Sequence, residues 1–318
     1  MNILITGGLG FIGSNFIRYI LGKYPDYHII NLDLQTYAGN PDNLKDIEKS
    51  SNYKFVRGDI CNKAVVDKLI QNIDMVVHFA AESHVDRSID DASAFVRTNV
   101  LGTFVLLDCA LKHNIKRFIH ISTDEVYGSI IKGSFKETDI LTPSSPYSSS
   151  KAGSDLLAQS YFITHGLPVI ITRCTNNFGP YQYPEKLIPL FITNLIENKR
   201  VPVYGTGKNV RDWIYVEDHC KAVDFVLHKG NVGEIYNIGG GAEKTNLEIT
   251  KSILETLGKD HTMVEYVKDR PGHDLRYSLD CTRLRKLGWA PQHGFEDALH
   301  DTIRWYVENR WWWEKLKH

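Results

Sequence analysis

The sequence predicts an α/β fold, in which a Rossmann-type, doubly wound parallel sheet is joined to a smaller C-terminal α/β substrate domain. Short apolar segments typical of buried strands alternate with helical patterns over the first half of the chain. The first of these strands runs directly into a glycine-rich turn. The 318 residues also exceed the usual size of one domain. We expect a Rossmann domain over residues 1–175, with a returning segment near 212–237, and a substrate domain over 176–318.

The first strand and its turn predict a dinucleotide site. Residues 2–6 are apolar, and glycines at 7, 10 and 13 follow before a helical pattern. Such glycines allow a tight turn and close approach to a pyrophosphate, while the helix N-terminus attracts its charge. A second strand, residues 28–32, ends at Asp33 about twenty residues after the last glycine. A carboxylate there accepts from a ribose 2′-hydroxyl and repels a 2′-phosphate, which favours NAD over NADP. The alternative is a structural turn followed by a solvated Asp.

The strands that follow carry polar residues at their carboxyl ends. We predict strands over residues 54–58, 75–81, 117–121 and 168–173, and helices over 63–71 and 92–113. Ligands of such sheets gather where the strands end. Asp124 and Glu125 follow the fifth strand, and adjacent carboxylates raise one another's pKa, which suits paired acid and base chemistry. The alternative is that one of them caps the next turn.

Tyr147 and Lys151 stand four residues apart at a predicted helix start. Residues 143–146 supply a cap and first-turn prolines, and apolar residues continue at helical spacing. The two side chains therefore share one face of the helix. A lysine beside a tyrosine favours the phenolate, and we expect it to lower the phenol pKa toward the range of a general base. Taken alone, the pair also fits an ordinary helix start, and the catalytic interpretation depends on the rest of the chain.

These motifs together resemble the extended short-chain dehydrogenase/reductase family. The resemblance rests on the glycines at 7, 10 and 13 with Asp33, on residues 122–128, and on Tyr147 with Lys151. Within that family, residues 80–88 and 175–182 resemble the branch that dehydrates nucleotide sugars, and the match spans essentially the whole chain. The resemblance implies NAD-dependent conversion of dTDP-glucose into its 4-keto-6-deoxy form. The protein would then be a hydro-lyase of deoxysugar biosynthesis that needs no metal.

The resemblance also implies a division of labour among five catalytic residues. Tyr147, assisted by Lys151 and hydrogen-bonded by Thr123, would take the proton of the sugar 4-hydroxyl while NAD carries the hydride from C4 to C6. Glu125 would take the C5 proton, and a protonated Asp124 would donate to the departing 6-hydroxyl.

Residues for the two ligands are carried over from the matching motifs. For NAD they are Gly7, Gly10, Phe11, Ile12, Gly13, Asp33, Leu34, Gln35, Thr36, Asp59, Ile60, Ala80, Ala81, Ser83, Thr98, Tyr147, Lys151 and Asn177. For the nucleotide sugar they are Ser83, His84, Thr123, Asn176, Glu185, Lys186, Leu187, Pro202, Tyr204, Arg211, Asn246, Arg270 and His273. Arginines can donate in a fork to phosphate oxygens, and Tyr204 offers an aromatic face to a pyrimidine.

Two other functions remain open at this stage. A nucleotide-sugar 4-epimerase of the same family would use Tyr147 and Lys151 but would have no need for an acid and a base at 124 and 125. A non-catalytic NAD-binding scaffold would be expected to lack part of the catalytic set, and this chain has all of it. The residues do not distinguish a thymidine from a uridine nucleotide.

Composition limits the partners and the compartment. A net charge of -1 gives no general attraction for nucleic acid or an anionic membrane. The five cysteines are scattered singly, which argues against a zinc site or a disulfide framework. No signal peptide is recognised, and we expect a cytoplasmic protein. The family resemblance implies a homodimer that pairs through the helices at 92–113 and 147–164. The tryptophans at 311–313 are expected in a C-terminal helix that covers apolar surface.

Overall fold

The structure, a computed structural model, describes residues 1–269 and 271–317. The strands are β1 Asn2–Thr6, β2 His28–Asp33, β3 Tyr53–Arg57, β4 Met75–His78, β5 Arg117–Thr123, β6 Val169–Cys174, β7 Asn176–Phe178, β8 Val201–Tyr204, β9 Val210–Tyr215, β10 Ile235–Ile238, β11 Glu243–Thr245 and β12 Val264–Val267. The α-helices are α1 Phe11–Lys23, α2 Lys63–Ile70, α3 Val85–Asp90, α4 Ser93–Phe95, α5 Thr103–Lys112, α6 Pro146–His165, α7 Leu187–Ile196, α8 Val216–Lys229, α9 Asn246–Thr256, α10 Thr282–Leu287, α11 Phe295–Glu308 and α12 Arg310–Trp313. A π-helix, Val96–Gly102, joins α4 to α5, and 3₁₀ turns lie at Pro41–Leu44, Asp124–Tyr127, His261–Met263 and Glu314–Leu316.

The central sheet has seven parallel strands in the order β10-β6-β5-β4-β1-β2-β3. Apolar clusters cover both of its faces, so the strands are buried as parallel strands require. From β1 the chain forms β2 and β3 toward one edge of the sheet, and it then returns to the other side of β1, where β4, β5, β6 and β10 follow in order. The predicted Rossmann-type fold is therefore confirmed, and a crevice opens where the carboxyl ends of β1 and β4 diverge.

The predicted strands are found within a few residues of their expected ends, but the helix expected over 92–113 is not uniform. Its middle, Val96–Gly102, is a π-helix, which commonly occurs at functional sites. The wider turn directs Asn99 onto the backbone of Glu82, with the side-chain oxygen accepting at 2.9 Å and the side-chain nitrogen donating at 3.0 Å. The stretch Ser93–Lys112 is long and apolar enough to cross a membrane by length and composition, but 50% of its apolar 18-residue window is buried inside the protein, as in a core helix.

Helix α6 begins where the sequence predicts. Ser145 caps it by accepting from the backbone N–H of Ser148 at 3.1 Å, and the Ser148 hydroxyl returns to the backbone N–H of Ser145 at 3.0 Å. Pro146 occupies the first turn, where its missing N–H costs nothing. Gly166 closes the helix in the left-handed region, at φ 69°. Tyr147 and Lys151 are thereby fixed on the first two turns.

The second half of the chain contributes to two cores. An apolar cluster formed by α7, α9, α11 and the C-terminal tail packs around the small sheets β11-β9-β7 and β12-β8. Helix α8 packs on α1, and β10 joins the large sheet beside β6. Strand β9 pairs with β7 and β11, and its Ile214 also packs in the core of the large sheet. Leu284 of α10 also joins the core of the large sheet. The domain division at about residue 175 stays a prediction.

The tail covers apolar surface as expected. Trp312 and Trp313 are buried, whereas Trp311 is 51% exposed. The indole of Trp312 donates to the side-chain oxygen of Asn43 at 2.8 Å, and that of Trp313 donates to the carbonyl of Tyr306 at 2.7 Å. The tail therefore supports the turn at 41–44, which follows β2.

Candidate active site

The glycine turn after β1 is shaped for close approach by a ligand. Gly7 has φ 72°, and a Cβ there would lie 2.5 Å from the backbone nitrogen of Ala80. A Cβ on Gly13 would lie 2.3 Å from the carbonyl oxygen of Gly7. The first turn of α1 carries no acidic residue, so the partial positive charge of its N-terminus is not neutralised. These features fit the pyrophosphate of a dinucleotide.

Asp33, the last residue of β2, lies beside the glycine turn. Its carboxylate is 8% exposed and accepts from the backbone N–H of Leu9 at 2.9 Å and of Gln35 at 2.7 Å. Burial raises the pKa of this carboxyl, and the two backbone bonds act against that rise. A carboxylate can accept about four hydrogen bonds, so two positions remain for the hydroxyls of a ribose.

A cavity of about 330 Å³ runs from Asp33 past the glycine turn to the ends of β4, β5 and β6. Its walls include every residue predicted to hold the cofactor except Gln35. Gln35 adopts φ 59°, and its backbone N–H donates to the carboxylate of Asp33. Gln35 is therefore close to Asp33 along the chain but does not line the cavity. All five predicted catalytic residues line the same cavity, at its other end.

Tyr147 and Lys151 lie buried at that end, 9% and 5% exposed. The ammonium of Lys151 donates to the carbonyl of Ile121 at 2.6 Å, and burial lowers its pKa to about 8. Burial raises the pKa of the Tyr147 phenol well above its usual range, and the charge of Glu125 adds to this, while a hydrogen bond with Thr123 acts in the opposite direction. The phenol pKa in the protein alone is therefore raised, not lowered as expected, because burial disfavours the charged phenolate.

Asp124 and Glu125 lie in the 3₁₀ turn that follows β5. Asp124 is 2% exposed, and its Oδ2 has no hydrogen-bond partner among the described residues. Burial, and after it the neighbouring charge of Glu125, raises the pKa of Asp124 well above its usual range. Glu125 is partly exposed, and its backbone N–H donates to the hydroxyl of Thr123 at 3.3 Å. One carboxyl is thus set up to carry a proton beside another that can accept one.

A second cavity of about 200 Å³ lies between the Rossmann core and the second core. The predicted nucleotide-sugar residues in its walls are His84, Asn176, Glu185, Lys186, Leu187, Pro202, Tyr204, Arg211, Asn246 and His273. Ser83 and Thr123 instead line the first cavity, and Arg270 lies outside the described residues. Glu125, Asn176, Glu185 and Lys186 line both cavities. The two cavities therefore meet beside the acid and base.

Charged side chains of the second cavity are held by the protein. Arg211 is 6% exposed, and its guanidinium donates to the carbonyl of Asp274 at 2.9 Å and lies over the ring of Tyr277, 4.3 Å from its centroid. Glu185 accepts from the hydroxyl of Tyr37 at 2.9 Å and lies 3.5 Å from the guanidinium of Arg87. Arg211 is thus fixed in direction, which suits a phosphate ligand, while Glu185 also bridges the loop after β2 to the second cavity.

Sequence reasoning missed several wall residues. Gly58 and Phe79 follow β3 and β4, so the rule that ligands gather at strand ends could have found them. Leu190, Phe191 and Trp213 line the second cavity as apolar residues, and no sequence signal separates them from ordinary core. Among the residues that the structure describes, no three His, Cys, Asp or Glu side chains converge as a metal site.

Comparison with known proteins identifies relatives that match nearly the whole chain. The family model described as GDP-mannose 4,6 dehydratase matches residues 4–302. A dTDP-glucose 4,6-dehydratase from Streptomyces niveus is 55% identical over 100% of this chain and 96% of its own length. The crystal structure of the dTDP-glucose 4,6-dehydratase DesIV from Streptomyces venezuelae, with NAD bound, superposes with a TM-score of 0.97 at 54% identity over 99% of this chain and 100% of that one.

A more distant solved structure shares the fold. The UDP-glucose 4-epimerase of Thermotoga maritima superposes with a TM-score of 0.91 at 30% identity, covering 98% of this chain and 100% of that one. The backbone alone therefore does not separate a dehydratase from an epimerase, whereas the sequence identity does. The chain belongs to the GDP-mannose 4,6-dehydratase family of extended short-chain dehydrogenases/reductases.

Proposed function

We propose that the protein is an NAD-dependent hydro-lyase that converts dTDP-glucose into dTDP-4-keto-6-deoxyglucose. The observation that carries this proposal is the meeting of the two cavities at Glu125, beside Asp124 and within the cavity that Tyr147 and Lys151 line. A sugar at this junction would reach a redox site and an acid–base pair at once. The relatives named dTDP-glucose 4,6-dehydratase, and the NAD in their structures, support the substrate and the cofactor.

Tyr147 removes the proton of the sugar 4-hydroxyl in this proposal. Its phenol pKa is raised in the protein alone, so the base forms only when positive charge balances the phenolate. Lys151, with a pKa of about 8, is largely protonated at neutral pH and supplies part of that charge. When bound, NAD supplies a cationic nicotinamide ring that accepts the hydride of C4 and later returns it to C6.

Asp124 and Glu125 perform the elimination. The new 4-ketone acidifies the hydrogen at C5, and Glu125, partly exposed at the cavity junction, accepts it. Asp124 is held protonated by burial and by the charge of its neighbour, and it donates to the 6-hydroxyl as water departs. An epimerase has no use for this proton transfer, so the acid–base pair favours the dehydratase.

The remaining predicted residues hold the two ligands in this proposal. Asp33 binds the ribose, and the glycine turn with the N-terminus of α1 receives the pyrophosphate. Arg211 and Lys186 face the diphosphate of the substrate, and Tyr204, 39% exposed, offers its ring to the base.

Loss of one water tests the function. The purified protein should convert dTDP-glucose into a product lighter by one water, as seen by mass spectrometry, and should act less well on UDP-, GDP- and CDP-glucose. Substrate deuterated at C4 should keep its label in the product methyl group. A product of unchanged mass would indicate epimerisation, and complete loss of the label to solvent would exclude return of the same hydride.

We also propose a homodimer that pairs through the helices at 93–112 and 146–165. These helices expose apolar side chains, among them Val96 at 55%, Leu156 at 57% and Ile163 at 77%. Ile163→Glu should yield a monomer by size-exclusion chromatography with light scattering. Ile140→Glu, at a residue that is 82% exposed and lies outside these helices, is the matched control. A monomeric wild-type protein would refute the pairing.

We place the protein in the cytoplasm, without nucleic-acid or membrane partners, in keeping with its net charge of -1.

A further inference from the structure

Arg173 is a buried arginine beneath the active site. It lies on β6 and is 1% exposed, among the largest fully buried side chains of the described residues. Taking a guanidinium out of water is costly unless its donors are matched. Its bonding partners therefore indicate why a charge is kept at this position.

The guanidinium of Arg173 contacts both the helix that carries Tyr147 and the turn that carries Asp124 and Glu125. Its Nε donates to Oδ2 of Asp155 at 2.8 Å, and one terminal nitrogen donates to the hydroxyl of Tyr127 at 2.8 Å. Asp155 lies one helical turn after Lys151 on α6, the helix that also carries Tyr147. Tyr127 is the last residue of the 3₁₀ turn that begins at Asp124. The side chain of Arg173 thus joins helix α6, which carries Tyr147, to the 3₁₀ turn Asp124–Tyr127, called the acid–base turn below.

Further contacts surround both ends of this connection. The hydroxyl of Tyr127 donates in turn to the side-chain oxygen of Asn237 at 2.9 Å, and the amide nitrogen of Asn237 donates to the carbonyl of Phe135 at 3.0 Å. The ring of Tyr127 stacks on Phe135 with centroids 5.0 Å apart. At the other end, His120 approaches Asp155 at 3.3 Å. Tyr127 is therefore held by hydrogen bonds on its hydroxyl and by stacking of its ring.

Stability alone gives no reason for such a network. A buried ion pair is often matched or exceeded in stability by apolar side chains of similar volume, whereas it specifies geometry. The reaction needs that geometry, because Tyr147 and Glu125 must act in turn on neighbouring carbons of one sugar. A displacement of 1 Å at a reacting group can slow a step by about 100-fold.

We propose that Arg173 is a positioning residue, which holds the Asp124–Glu125 turn at a fixed place relative to Tyr147 through its bonds to Tyr127 and Asp155. The proposal rests on the proposed function, since it concerns the relative positions of the groups that perform oxidation and elimination. It assigns no contact between Arg173 and the substrate.

The test breaks the connection at the end nearest the acid–base turn. Tyr127→Phe keeps the buried ring but removes the hydroxyl between Arg173 and Asn237, while the bond to Asp155 is left in place. We therefore expect elimination to slow roughly 10- to 100-fold while C4 oxidation stays near the wild-type rate. In a single turnover, bound NADH should build up by absorbance before the dehydrated product appears by mass spectrometry. Arg173→Met is less informative, because it leaves Asp155 charged and uncompensated in the core.

Tyr236→Phe is the matched control. Tyr236 is 1% exposed, and its hydroxyl accepts from the backbone N–H of Asn231 at 2.9 Å, away from both cavities. This variant should show wild-type rates for both steps. The proposal is overturned if Tyr127→Phe slows oxidation and elimination equally, or leaves both unchanged, or if Tyr236→Phe shows the same imbalance. Failure of the proposed function is a separate result, since the wild-type protein itself would then yield no dehydrated product.

Discussion

Replacing Asp33 by Asn tests the carboxylate that ends β2. The side chain keeps its size, but one acceptor oxygen becomes an NH₂ group. Both carboxylate oxygens now accept backbone N–H groups, from Leu9 at 2.9 Å and from Gln35 at 2.7 Å. In the Asn variant one of these donors must face another donor, because each carboxylate oxygen already accepts one backbone N–H.

Two effects follow from this change. A buried N–H without an acceptor costs about 1–3 kcal/mol, so the free energy of unfolding of the protein without cofactor should fall by that amount. A hydrogen bond from a ribose hydroxyl to a charged acceptor is worth about 1.5–3 kcal/mol, and its weakening to a neutral acceptor should raise the Kd for NADH roughly 10-fold. A strong site for NADP should not form, because the amide removes the repulsion but supplies no positive charge for a 2′-phosphate.

Urea unfolding and a fluorescence titration with NADH measure the two effects. Asp26→Asn, at an exposed position before β2, makes the same change of charge and should alter neither quantity. The reasoning would be refuted by a folded Asp33→Asn protein that binds NADH as tightly as the wild type. Equal affinity of the wild-type protein for NADP would contradict the role of the carboxylate in choosing the cofactor.

Three other variants probe the turn, the base and the pH dependence. Glu125→Gln should slow elimination roughly 10²- to 10⁴-fold while C4 oxidation continues, so that bound NADH accumulates by absorbance. Gly7→Ala should destabilise the protein by about 1–3 kcal/mol in urea unfolding and weaken NAD binding, because its Cβ would lie 2.5 Å from the backbone of Ala80. His228→Gln should lower Tm most at acidic pH. The hydrogen bond to Asp224 raises the pKa of His228, so its contribution is complete below its unfolded pKa of about 6.5 and is lost as pH rises through the folded value.

Each of these has a contrary outcome. A Glu125→Gln variant that dehydrates at the normal rate would move the base to another residue. Gly133→Ala, also at positive φ, at 80°, but with no neighbour within 4 Å, separates backbone strain from the clash, and equal losses in both variants would remove the clash as the cause. A Tm difference for His228→Gln that stays constant across pH would show that no raised pKa contributes.

Much of the cofactor half of the site could be predicted from the sequence. The glycine turn, Asp33 and the Tyr147–Lys151 pair each depend on neighbours close in the chain, so spacing alone predicts which side chains share a turn or a helix face. The parallel sheet followed from the alternation of strands and helices. The extent of each element was less secure, and the π-helix at Val96–Gly102 has no local signal because its wider turn depends on packing against other segments.

Only the tertiary structure decided how distant segments meet. Glu125 stands at the junction of two cavities because β5 ends between the Rossmann core and the second core. Arg173 reaches both Asp155 and Tyr127 because β6 lies beside β5 under α6. The pKa of the Tyr147 phenol rises rather than falls, since burial is a property of the whole fold. Sequence determines the chemistry available within a few residues, whereas distance and desolvation between remote residues are set by packing.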